Sequence, residues 1–234
     1  MKNLDNALVY LKKISEELSY DKICEYTEEQ KIQYKKLLKE LKDVNNSKKS
    51  NTEKGTILEE IAVFLLKTGN IFEIYNNVRT STNELDQLVR VNATGKLLCT
   101  TGIISNKFRN FIGECKNHNE KISVTYVGKI CSLLCTTNIK ICILFSYHGV
   151  TGNNWQDASG LIKKFYLCRE KEEDRYCIID FNINDFNRIE KGENFLQILE
   201  EKMNTLQYDT DYIKYISDHE NSQKISNTIE VNYV

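Results

Sequence analysis

The chain has 234 residues, 41% of them hydrophobic and 28% charged, with a formal net charge of −1 at pH 7. That balance belongs to a globular chain and excludes a disordered or collagen-like polymer, and no stretch reaches the roughly 18 uninterrupted apolar residues of a membrane-spanning helix. The near-zero charge conceals a segregation: residues 54–169 carry 14 Lys and Arg against 8 Asp and Glu, a net +6, whereas residues 170–234 carry 7 against 15, a net −8, so a middle suited to a polyanion is followed by an acidic end.

At the start, Leu4, Leu8, Leu11, Ile14 and Leu18 recur every three or four residues, and Leu37, Leu38, Leu41 and Val44 repeat the pattern. Two amphipathic helices are predicted, forming a helical N-terminal extension over residues 1–50 that either packs on the main domain or dimerises. Charges interrupt the apolar positions of the first eighteen residues, unlike a secretory leader; the expectation is a cytoplasmic protein with no membrane partner. The polar stretch 45–55, "NNSKKSNTEKG", reads as a linker.

From Gly55 the pattern becomes an α/β alternation. "TILEEIAVFLLKTG" predicts a helix closed by a glycine, "IFEIYNNVRT" and "ELDQLVRV" predict strands around a turn at "TSTN", "KLLCTTGII" is a third apolar segment, and "RNFIGECKN" is a strand. "TYVGKICSLLCTTN" predicts a helix, "IKICILFSY" a buried strand, "NNWQDASGLIKKFYL" an amphipathic helix and "RYCIIDFNI" a last strand. The order implies an α/β fold with a mixed central sheet flanked by helices, occupying residues 54–190. Residues 191–234 predict an acidic helical tail whose last dozen residues are frayed.

The eight cysteines include no CxxC pair, and only three histidines accompany them. Cys142 sits in an apolar run as a small hydrophobe, and Cys131 and Cys135 share one helix face. Reduced thiols are expected in preference to structural zinc.

Three acids and a base stand out by position. Glu59 lies inside the first core helix, Asp86 between Leu85 and Leu88 of a strand, and Glu114 at the end of the next long strand, two residues before Lys116. Side chains at i and i+2 of a strand share a face, so Glu114 and Lys116 are expected side by side. An acid among apolar strand residues is costly unless paired or metal-bound. As isolated residues these are a surface ion pair, a turn-adjacent acid and an exposed helical acid.

Taken in order, "KGTILEEIAVFLL", "TNELDQLVRV" and "FIGECKN" resemble the PD-(D/E)XK nuclease superfamily, and most closely its Mrr-like restriction endonuclease branch. The resemblance spans residues 54 to 180, with the downstream helix and "ILFSYHGVTGNNWQDASGL" in matching order. It implies a restriction-endonuclease-like core and a Mg²⁺-dependent endonuclease, with Mn²⁺ as a substitute ion, that hydrolyses DNA in restriction or anti-phage defence. Glu59, Asp86, Glu114 and Lys116 match its catalytic positions. Asp86, Glu114 and the Cys115 backbone carbonyl would supply oxygen ligands of the kind Mg²⁺ takes, Lys116 would orient or deprotonate the attacking water, and Glu59 would act from outside. Implied partners are DNA, a second copy of the chain and a further defence-system subunit. The alternative is a catalytically silent nuclease-fold module that binds DNA or a partner. Lys107, Arg109, Lys121, Lys129, Lys163 and Lys164 are the candidate phosphate contacts, which give affinity without base information. His118 is read as a loop residue and His148 as a further candidate phosphate contact.

Overall fold

A computed structural model describes residues 20–47, 49–79, 84–152 and 156–208. The helix expected over 4–18, the "TSTN" turn and the tail beyond Tyr208 lie outside the described residues. After a single helical turn at Tyr20–Ile23, helix α1 spans Glu28–Asn45 and α2 spans Asn51–Lys67. Each begins with a capping box, Thr27 with Gln30 and Ser50 with Glu53, which satisfies two otherwise orphaned amide donors reciprocally. The stretch read as a linker is therefore mostly helix, and only residues 46–50 connect α1 to α2. Tyr34, Leu38 and Leu41 of α1 are buried in the same core as Leu58, Ile61 and Leu65 of α2.

Strands β1 (Phe72–Arg79), β2 (Glu84–Val91), β3 (Asn110–Lys116), β4 (Ile141–Ser146) and β5 (Cys177–Phe181) form one sheet in the order 1-2-3-4-5. β1, β2 and β3 pair antiparallel, whereas β3, β4 and β5 pair parallel. The two parallel steps need crossovers, supplied by α4 (Val124–Thr137) and α5 (Ala158–Leu167). Asn138 ends α4 in the left-handed conformation, φ 54°, which asparagine tolerates better than most residues. Every residue of β4 is buried, as a parallel strand covered on both faces requires. Phe111, Ile143, Phe145 and Ile179 pack toward α1 and α2; Ile112, Cys142, Leu144 and Ile178 pack toward α4 and α5. The protein is thus α/β, a five-stranded mixed sheet between two helical layers.

Three expectations are corrected. The apolar segment "KLLCTTGII" is not extended: helix α3 covers Ala93–Thr100, with Asn92 Oδ1 accepting from the Gly95 amide at 2.9 Å. The last strand, expected to run to Ile183, ends at Phe181, and Ile183 instead opens α6 (Ile183–Glu190), whose Asn182–Asp185 capping box precedes buried Phe186 and Ile189. The described part of the acidic tail, α7 (Phe195–Tyr208), buries Phe195, Leu196, Ile198, Leu199 and Met203 in the main core. Its Glu201 pairs with Arg188, and Lys202 pairs with Asp185 at 2.9 Å. A chain ended near residue 195 would lose part of its core rather than a detachable arm.

Glycine in a helix interior ordinarily costs about 1 kcal/mol against alanine, yet Gly95 reverses the sign. A Cβ there would stand 2.4 Å from the Ile71 carbonyl oxygen and 2.9 Å from Val91 Cβ. Overpacking of this kind costs about 1–3 kcal/mol. Gly95→Ala is expected to lower the melting temperature by several degrees, on the scale of about 2–4 °C per kcal/mol for a domain of this size; a melting curve unchanged or shifted upward would show that the helix is not in this contact with Ile71 and Val91.

Candidate active site

The ladder between β2 and β3 runs from Arg90↔Asn110 to Gln87↔Gly113, and one step further on stand Asp86 and Glu114. There the side chain of Asp86 takes over from the backbone: its Oδ2 accepts from the Cys115 amide at 2.9 Å. Across β2, Asn77 faces Asp86 with φ 53°, so the edge hairpin is distorted beside the acid.

Lys116 Nζ lies 3.4 Å from Asp86 Oδ2 and 3.2 Å from Glu114 Oε1. The i and i+2 geometry expected for Glu114 and Lys116 is therefore present, with Asp86 from the neighbouring strand on the same ammonium. Tyr126, in the first turn of α4, donates to Glu114 Oε1 at 2.8 Å, and its ring lies 5.6 Å from Lys116 Nζ. The second carboxylate oxygen, Glu114 Oε2, is buried without a hydrogen-bond partner among the described residues. A buried acceptor left unmade costs about 1–3 kcal/mol, more when charged.

Burial, with the charge of Asp86 added and that of Lys116 opposing, pushes the Glu114 carboxyl up to about 7. Burial alone would pull the Lys116 ammonium down, but Glu114 and Asp86 more than reverse it and its pKa is raised. Lys116 is consequently a fixed cation at neutral pH. Glu59, exposed on α2, makes no ion pair among the described residues; burial and the charge of Asp86 raise its pKa, with Lys116 opposing. Glu59 and Asp86 line one cavity of about 620 Å³ between α1, α2 and the β1–β2 hairpin, whereas Glu114 and Lys116 stand outside its lining. The N-terminal part of α2 is fastened to the loop after β3: Lys54 Nζ donates to Asn119 Oδ1 at 2.6 Å, and Asn117 Nδ2 donates to the Lys54 carbonyl at 2.8 Å. This sets Glu59 against the end of β3.

An all-oxygen donor set with an orphaned carboxylate oxygen fits Mg²⁺ or Mn²⁺ in chemistry. Among the described residues no three His, Cys, Asp or Glu side chains converge as a metal-holding group; Asp86 and Glu114 are the two carboxylates that share Lys116. The Cys115 side chain is buried in the core, and the contact its backbone makes with the acids is the amide bond to Asp86. All eight cysteines are unpaired.

The basic residues divide. Lys121 and His118 line a hollow of about 390 Å³ that also includes Tyr126, and Lys129 follows Tyr126 by three residues on α4, a spacing that makes neighbours on a helix. Lys107 and Arg109 precede β3, and the six residue steps from Asn110 to Lys116 span ~20 Å; they are close to the site in sequence and at the far end of the strand in space. Lys107 is moreover paired with Glu172 at 2.6 Å. Lys163 and Lys164 are exposed on α5, and Lys163 lines a separate hollow with Asp180 and Arg188. His148 is exposed after β4 against Tyr147. Sequence reasoning missed Tyr126 and Gln87. Tyr126 had no signal beyond its place in the first helical turn after the Glu-Cys-Lys strand. Comparison of the chain with family models, with curated proteins and with solved structures returned no match.

Proposed function

We propose that the chain is a divalent-metal-dependent endonuclease that hydrolyses DNA phosphodiester bonds, with a restriction-endonuclease-like core of the PD-(D/E)XK type and a role in restriction or anti-phage defence. The observation that carries the reading is the convergence of Asp86 and Glu114 on Lys116 at the end of two adjacent strands, with Glu114 Oε2 left open. Asp86 and Glu114 are the residues to hold the ion. When bound, Mg²⁺ supplies a water of lowered pKa and charge for the phosphoryl oxygens. Lys116, whose pKa is raised, keeps its proton; it acts as a positive charge against the developing phosphate oxyanion rather than as the base. Tyr126 and the Cys115 amide hold the two carboxylates in place through the bonds described above. Glu59 faces the substrate side of Asp86 across the cavity and orders water there. Lys121 and Lys129 are the basic residues best placed to hold a phosphate backbone.

One observation favours a second reading, a catalytically silent module binding DNA or a partner subunit: both acids are already engaged by the one Lys116 ammonium. End-labelled single- and double-stranded DNA separates the two. Fragments in Mg²⁺ or Mn²⁺ and none in EDTA are expected; DNA retained but uncut with both ions supports the silent module.

A further inference from the structure

The geometry points to a nucleobase pocket beside the acids: the cavity of about 620 Å³ between α1, α2 and the β1–β2 hairpin takes one unpaired base of the strand being cut. The inference rests on the nuclease reading for its substrate and on the cavity for its chemistry. A volume of this size is that of a small-molecule site; it admits a nucleotide and not a duplex. Its charged lining is Glu59, Glu60 and Asp86 against Lys67, a net negative wall that repels a bare phosphate. Five carboxamides, Gln30, Gln33, Asn76, Asn77 and Gln87, line the same space; a carboxamide carries two donors and an acceptor, and the oxygen of Gln30 already accepts from the Thr27 amide at 2.9 Å. Phe64, held at 5.8 Å ring distance by both Tyr26 and Tyr34, adds an apolar wall with Leu37 and Val63. A neutral, flat heterocycle with mixed donor and acceptor edges meets all three properties, and Asn or Gln pairing with a base edge is an established recognition chemistry.

Gln87 gives independent support. It is 2% exposed in the middle of the sheet, and its Oε1 has no hydrogen-bond partner among the described residues. The room for its carboxamide comes from Gly113, where a Cβ would lie 2.4 Å from that oxygen. A buried carboxamide with an unmade bond on a cavity wall is a cost that an incoming N–H relieves after rotation of the amide, and the exocyclic amine of adenine, cytosine or guanine supplies one. Taking a base from a duplex costs a few kcal/mol and least where it is unpaired, so the pocket selects single-stranded, mismatched or flipped positions.

The test is an NMR titration of the ¹⁵N-labelled full chain with adenosine, guanosine, cytidine and thymidine in EDTA, where no cleavage interferes. Saturable shifts of the Gln33, Asn76 and Gln87 side-chain amides are expected at millimolar amine-bearing nucleoside, with about tenfold weaker binding in Gln33→Leu/Asn76→Leu, whose remaining spectrum reports an intact fold. Absence of saturable shifts with all four, or binding unaltered in the variant, overturns the pocket. Nucleoside binding by a chain that cuts no DNA keeps the pocket and removes the nuclease reading; DNA cleavage without nucleoside binding does the reverse.

Discussion

Replacing Lys116 with alanine is expected to reduce metal-dependent DNA cleavage by about 10²–10³-fold, the usual loss when one preorganised charge or donor is removed from a developing oxyanion. The ammonium is held between Asp86 and Glu114 at 3.4 and 3.2 Å, and both carboxylates keep it protonated, so no other described cation is poised to replace it. The variant also loses the charge that opposes the upward shift of Glu114, so a larger share of that carboxyl is protonated at neutral pH. A cleavage rate in Lys116→Ala within a factor of a few of wild type, with circular dichroism unchanged, would remove Lys116 from the reaction.

Glu114→Gln is expected to move activity and stability in opposite directions. The folded-state pKa of Glu114 is raised from an ordinary 4.5 to about 7, so the native state binds more protons than the unfolded chain between these values. Stability from this group therefore falls as pH rises from about 4.5 through about 7 and stays low above it. Each unit corresponds to about 1.4 kcal/mol; after loss of the Lys116 pair is set against it, the glutamine variant is expected to gain on the order of 1–2 kcal/mol at pH 8, with a flatter pH dependence below 7. Cleavage should be lost, because an amide oxygen is a poor substitute for a charged Mg²⁺ ligand. In wild type at subsaturating metal, metal binding should strengthen with pH through about 7 as the carboxyl of the metal-free protein ionises. Denaturant melts at pH 5 and pH 8 alongside cleavage rates check both halves. A variant less stable at pH 8 and fully active would contradict them.

The clustering of Asp86, Glu114 and Lys116 was legible because strand geometry is strict. Glu114 and Lys116 must share a face, and an acid between Leu85 and Leu88 needs a partner. That Asp86 accepts from the Cys115 amide depends on where the ladder stops, at Gln87↔Gly113, and no periodicity announces it. Helix α3 was hidden by the apolar and β-branched content of "KLLCTTGII", although Asn92 was a visible cap. Helix α6 was hidden by its brevity, its capping box lying directly after β5. Lys107 and Arg109 show why neighbourhood in sequence misleads on a strand: residues that precede β3 cannot reach what its last residues hold. The carboxamide cavity was illegible because α1, α2 and the β1–β2 hairpin each contribute to it from separate parts of the chain.

Conversion of supercoiled plasmid tests the central claim most directly, with purified wild-type protein and Lys116→Ala run in parallel in Mg²⁺, Mn²⁺ and EDTA. Nicked or linear product from wild type with either ion, none in EDTA and little from the variant is the predicted result. Plasmid left supercoiled in every lane, or cut equally by the variant, would contradict a metal-dependent nuclease centred on Asp86, Glu114 and Lys116.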